Sequence, residues 1–111
     1  MKAAKVSLMA ALSILLLVKG IIPAFTTIGT DFSNYYTGSF VLVHESQNVE
    51  RLYDSRWFSQ RARMLGGPEG GIFQPFPPPT ALLMAPLALF DMRTAKALWT
   101  VINLGILAAL V

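Results

Sequence analysis

The chain has 111 residues, of which 54% are hydrophobic and only 14% charged, with a mean hydropathy of +0.54; this is more apolar than an average soluble domain and disfavours a freestanding water-soluble globule. With no cysteine and one histidine it has neither a disulfide framework nor the ligands for a thiolate or His-rich metal centre. The net charge of +3 is not a nucleic-acid patch: residues 26–80 carry four arginines against five acids, and the surplus lies in Lys2, Lys5, Lys19, Arg93 and Lys96 beside the apolar blocks at the two ends.

Residues 6–25 (VSLMAALSILLLVKGIIPAF) form the first block. As a helix rising about 1.5 Å per residue it crosses the roughly 30 Å hydrocarbon layer, with Lys19 near enough to its end to snorkel outward. A secretory leader is the competing reading: Lys2 and Lys5 serve as its basic region and residues 6–18 as its apolar core, but no A-x-A cleavage pattern follows. Under either reading Lys2 and Lys5 hold the N-terminus in the cytoplasm.

From Thr30 onward, Phe32, Tyr35, Tyr36, Ser39, Phe40 and Val43 recur at i, i+3, i+4 intervals, predicting an amphipathic helix capped by Thr30 or Asp31. Its aromatic stripe suits a helix lying among lipid headgroups. Residues 48–54 read as a polar link. Residues 55–65 combine Trp57 and Phe58 with Arg56, Arg61 and Arg63, a composition that fits an anionic surface or a phosphate. His44 reads as an interfacial histidine.

Gly66-Gly67-Pro68-Glu69-Gly70-Gly71 reads as a mobile loop and lacks the Gly-Lys-Ser/Thr ending of a P-loop, so it gives no ground for nucleotide binding. Pro75-Phe76-Pro77-Pro78-Pro79 leads into an uncharged run, residues 80–90, interrupted by Pro86. A helix over 78–90 reaches only about 20 Å, short of a bilayer, and would enter it tilted or kinked. After the polar turn 91–96 comes a second strongly apolar helix, residues 97–111, with Trp99 as an interfacial anchor. Its end at Val111, without cap or polar tail, is that of a chain cut inside a transmembrane segment, so an N-terminal fragment is expected. With Lys2, Lys5, Arg93 and Lys96 all on the cytoplasmic side, the expected path crosses outward, keeps residues 26–78 outside, returns over 79–90 and begins to cross again.

The resulting expectation is an all-α membrane protein: an N-terminal transmembrane helix over 1–25, an extracytoplasmic segment with amphipathic helices over 26–78, and second and third membrane segments over 79–111. It is a multi-pass protein of the plasma membrane.

The order of Thr30-Asp31-Phe32-Ser33-Asn34-Tyr35-Tyr36, Leu52-Tyr53-Asp54, Phe76-Pro77-Pro78-Pro79, Pro86-Leu87-Ala88 and Ala97-Leu98-Trp99 resembles the start of glycosyltransferase family 87, a branch of the GT-C superfamily. Its polytopic enzymes are best known as polyprenol-phosphate-mannose-dependent mannosyltransferases, with D-x-x-x-Y-Y, L-Y-D and Y-P-P elements in this order. Phe76 stands where the family carries tyrosine. The resemblance implies transfer of a hexose, mannose foremost, from a polyprenyl-phosphate-linked donor to an acceptor glycan or glycolipid, with no cofactor assigned. It makes Asp31 the catalytic base. Tyr35 and Tyr36 would line the acceptor or lipid groove, and Arg56, with Arg61 and Arg63, would neutralise the donor phosphate. One carboxylate suits an inverting displacement from a good leaving group, whereas a retaining hydrolase wants two at about 5 Å. The residues alone also allow Asp31 to be a helix cap. They allow a small non-enzymatic accessory or scaffolding membrane protein, or a secreted interaction module after leader cleavage.

Overall fold

A computed structural model describes residues 1–73 and 76–111 and is helical throughout its regular structure. Pro75, the first member of the proline cluster, lies outside the described residues.

The N-terminal block forms α1 (Lys2–Leu16), a π-helical turn (Leu17–Ile21) and α2 (Ile22–Thr26) in direct succession. The wide turn has a local cause: Pro23 brings no N–H to bond the Lys19 carbonyl, and its ring crowds that carbonyl, so the backbone opens there. This is the one helix among the described residues that is long and apolar enough to cross a membrane. None of α1 is buried: Leu8, Met9, Leu12 and Ile14 all stand exposed. In water each such side chain forgoes about 1.5–3 kcal/mol of burial, a loss that lipid removes.

The chain's last helix, α6 (Met92–Leu110), runs antiparallel to this one. Thr100 Oγ1 donates to the Ala24 carbonyl at 3.1 Å, and an apolar groove between the two helices is lined by Leu16 and Gly20 on one side and Leu104 and Leu107 on the other. Gly20 and Ala24, one turn apart, keep that face small where α6 approaches. We call this pair the stalk.

Residues 27–91 form a head at one end of the stalk, giving a molecule 62 Å long and 26 × 23 Å across. Its axis is α3 (Thr30–His44), which packs on α4 (Ser55–Met64), α5 (Pro79–Leu83), α6 and two 3₁₀ turns, Ser46–Tyr53 and Ala85–Leu89. One core cluster joins Phe32 and Tyr36 to Met84, Leu87, Met92 and Ala95; the other joins Val41 to Leu52, Phe58, Phe73 and Ala81. The aromatic stripe of α3 is therefore turned largely into protein, where the sequence pattern had assigned it to lipid headgroups.

Three further expectations are corrected. The run 79–90 is no continuous helix: α5 stops at Leu83, a 3₁₀ turn carrying Pro86 follows, and Ala81, Leu87 and Ala88 are buried on α3. Arg93 and Lys96 consequently lie beside residues 25–28, at the opposite end of the N-terminal helix from Lys2 and Lys5. The glycine-rich stretch is tightly fastened: Gly66, with φ +105°, turns the chain at the end of α4 while its N–H donates to Arg63 and that of Gly67 to Ala62, the double closure of a Schellman motif.

Candidate functional site

Asp31 sits where head meets stalk, five residues beyond the end of α2 and in the first turn of α3. Gly29 occupies the N-cap position, and neither Thr30 nor Asp31 contributes a capping hydrogen bond. The carboxylate is solvent-exposed, and among the described residues no ion pair engages it. A carboxylate that accepts a proton from an incoming hydroxyl must be reachable and not already spent on a structural bond, and Asp31 meets both conditions.

Beside the start of α3 lies a cavity of about 620 Å³, bounded by residues 25–28, by Gly66, Gly67 and Pro68, and by Arg93 and Lys96. Lys96 Nζ is 5.5 Å from the centre of the Phe32 ring, which places it at the first turn of α3. Gly67 can come this close to α3 only because it has no side chain: a Cβ there would collide with Ser33 Oγ and approach the Ala62 carbonyl. Gly71 is held the same way, against Asn34, whose Oδ1 accepts the Ile72 N–H at 3.1 Å. The Ser33 and Thr37 hydroxyls are buried on this helix without a hydrogen-bond partner among the described residues.

The other expected site residues separate from Asp31. Tyr36 is buried, and its hydroxyl donates to the Phe90 carbonyl at 2.5 Å. Burial first, and the Asp91 charge second, push this phenol's pKa upward. Tyr35 is half-buried on another face and lines an apolar cavity of about 400 Å³ with Phe76, Pro77, Thr80, Leu83, Met84 and Trp99. Arg56 is exposed on α4 in a shallow pocket with Arg63 and Glu69, which shares no residue with the cavity at Arg93 and Lys96. Arg61 is ion-paired with Glu45, and Arg63 with Glu69 at 3.3 Å. His44 Nε2 lies 2.8 Å from the Ala88 carbonyl and fastens the end of α3 to the second 3₁₀ turn. Trp99 packs on the first core cluster at the margin of the stalk. Among the described residues no three His, Asp or Glu side chains gather as a metal site.

Arg93 and Lys96 are the charges that sequence reading assigned to the wrong end. The signal that marks them is local. Asp91 caps α6 through the Thr94 N–H, so both cations fall in its first turns, where the helix dipole disfavours positive charge. Hydrogen bonds from Thr94 hold the Asp91 carboxyl below the usual carboxylate range.

No family model, curated protein or solved structure matches the chain.

Proposed function

We propose that this chain forms part of an integral-membrane glycosyltransferase that moves a hexose from a polyprenyl-phosphate donor to an acceptor hydroxyl, with Asp31 as general base. The observation that carries the reading is the position of Asp31: an exposed carboxylate, without an ion pair among the described residues, five residues past an apolar helix of spanning length and next in sequence to Phe32, whose ring lies 5.5 Å from Lys96 Nζ. The motif order from Asp31 to Trp99 supports the same reading. In the reaction the acceptor oxygen bonds to the sugar's anomeric carbon as the bond from that carbon to the phosphate oxygen breaks. The phosphate leaves with the bonding electrons, and the acceptor's proton passes to Asp31. One base and a stable leaving group give inversion at that carbon.

The N-terminal helix crosses the membrane with α6 packed antiparallel against it, Lys2 and Lys5 lie in the cytoplasm, and the head faces the other side. The test is sugar transfer from a polyprenyl-phosphate hexose by the complete protein in membranes. Asp31→Asn lowers turnover by about 10²–10⁴-fold while leaving protein amounts unchanged. Unaltered turnover removes Asp31 from the chemistry.

A further inference from the structure

We infer that the cavity between the end of α2, the Gly66–Pro68 turn and the start of α6 is a binding site for the phosphate of a membrane-anchored ligand, held by Arg93 and Lys96. This assigns the donor's phosphate to a place and rests on the proposed sugar transfer only for the polyprenyl nature of the lipid.

Four observations converge. The cavity, at about 620 Å³, is of the size that holds a small ligand, and its lining contains two cations and no acid. The head arginines lie elsewhere: Arg61 pairs with Glu45, Arg63 with Glu69, Arg51 stands 5.3 Å from the centre of the Trp57 ring, and Arg56 is exposed on α4 in a separate shallow pocket. Arg93 and Lys96 have no ion-pair partner among the described residues, and they sit at the end of α6 where its own dipole opposes them. A local arrangement that works against itself marks a position kept for binding, and an anion entering the cavity relieves the repulsion. Lastly, Phe25 and Ile28 share the lining, so the site opens where the apolar stalk ends; a lipid chain lies along the stalk while its phosphate meets the two cations.

The arrangement also divides labour with Asp31. A carboxylate beside a phosphate site needs intervening positive charge, since two anions repel at short range. Lys96, over the Phe32 ring next to Asp31 in sequence, is placed to supply it.

Native mass spectrometry of the complete protein, released from mild-detergent micelles, reads this directly. The probes are a polyprenyl monophosphate, the matching polyprenol, phosphatidylglycerol and inorganic phosphate. The polyprenyl phosphate gives a saturable adduct that polyprenol does not, and Arg93→Gln with Lys96→Gln weakens it more than tenfold. The charge-conserving pair Arg93→Lys with Lys96→Arg retains it, which separates loss of charge from loss of fold. Phosphatidylglycerol adducts of equal strength assign the cavity to lipid phosphates in general, and weaker ones assign it to the polyprenyl donor. Inorganic phosphate binding as tightly as either lipid overturns the membrane-anchored assignment. Equal binding of polyprenol, survival of the adduct in the Gln pair, or its loss in both pairs overturns the site. Asp31→Asn leaves the adduct intact, so an error in the catalytic role and an error in the phosphate site give different results.

Discussion

Helices α1 and α3 are each fifteen residues long, yet α1 buries none of its residues and α3 buries eight. The buried positions of α3 include Ser33, Asn34, Thr37, Gly38 and Ser39, all small or polar, whereas α1 between its lysines and Leu16 is almost wholly aliphatic. Apolarity therefore does not locate the packed core of this molecule. The head is built from close approach and directed hydrogen bonds, and the stalk from uniform surface that the described residues leave uncovered.

That contrast can be broken most severely by deleting a large side chain on each side of it. Phe58 and Phe73 are fully buried, and their rings are 5.7 Å apart. Truncating either to Ala costs the head about 3–5 kcal/mol, read as a lowered midpoint of near-UV circular dichroism in detergent. Leu12→Ala on the stalk changes the same midpoint by less than about 0.5 kcal/mol. Equal effects would show that the stalk has partners inside the head's cooperative unit.

Smaller in scale is the addition of one methyl. A Cβ on Gly38 would stand 2.5 Å from the Phe73 ring, so Gly38→Ala forces α3 away from that cluster and costs about 1–3 kcal/mol. Gly105 on α6 has open space around the same position, and Gly105→Ala is neutral or stabilising in the same assay.

Removing single hydrogen bonds sharpens the comparison further. Ser39 Oγ donates to the Ala81 carbonyl at 2.7 Å in a buried setting, so Ser39→Ala leaves that carbonyl unpaired at a cost of about 1–3 kcal/mol. Tyr36→Phe removes the bond to Phe90 for about 1 kcal/mol. The same tyrosine gives a pH signature. Its folded pKa lies above the ordinary value of 10.0, so the contribution of the neutral phenol is fully present below pH 10 and is lost as pH rises through the higher folded value. Denaturation midpoints against pH thus fall on the alkaline side in the unaltered protein, and Tyr36→Phe lacks that tyrosine-linked step.

Much of the helical layout was legible from local chemistry. The apolar run predicted the N-terminal helix and the i, i+3, i+4 spacing predicted α3 from Thr30, while α4 lies within residues 55–65, which were read only by their aromatic and basic composition. Pro79 opens α5 as its first helical residue, where a missing N–H costs nothing. What stayed hidden is which environment each face meets. Phe32 and Tyr36 have the spacing of a lipid-facing stripe and of a core stripe alike, because both solvents are apolar and periodicity reports only the angle around the helix. Gly38, Gly67 and Gly71 read as loop or neutral residues because their value lies in contacts with Phe73, Ser33 and Asn34, distant in the chain.

At the candidate site, Asp31 was legible as a chemical group and its surroundings were not. The positive charges near it were sought among Arg56, Arg61 and Arg63, which are close in sequence but turned to Glu45, Glu69 and solvent. Arg93 and Lys96 were read as cytoplasmic markers because a run of apolar residues was taken for a membrane crossing. The break at Met84 between α5 and the following 3₁₀ turn folds that run onto α3 instead.

The account depends on Asp31 and Arg93 sharing one side of the membrane, opposite the N-terminus. These 111 residues contain no cysteine, so single substitutions to cysteine, made in a cysteine-free background of the complete protein, report position cleanly. Asp31→Cys, Arg93→Cys and Lys5→Cys variants of the complete protein, exposed in intact cells to a membrane-impermeant maleimide, test it. The first two take up the label without permeabilisation, and the third does so only after it. Labelling of Asp31→Cys while Arg93→Cys stays protected until the membrane is opened would contradict the account.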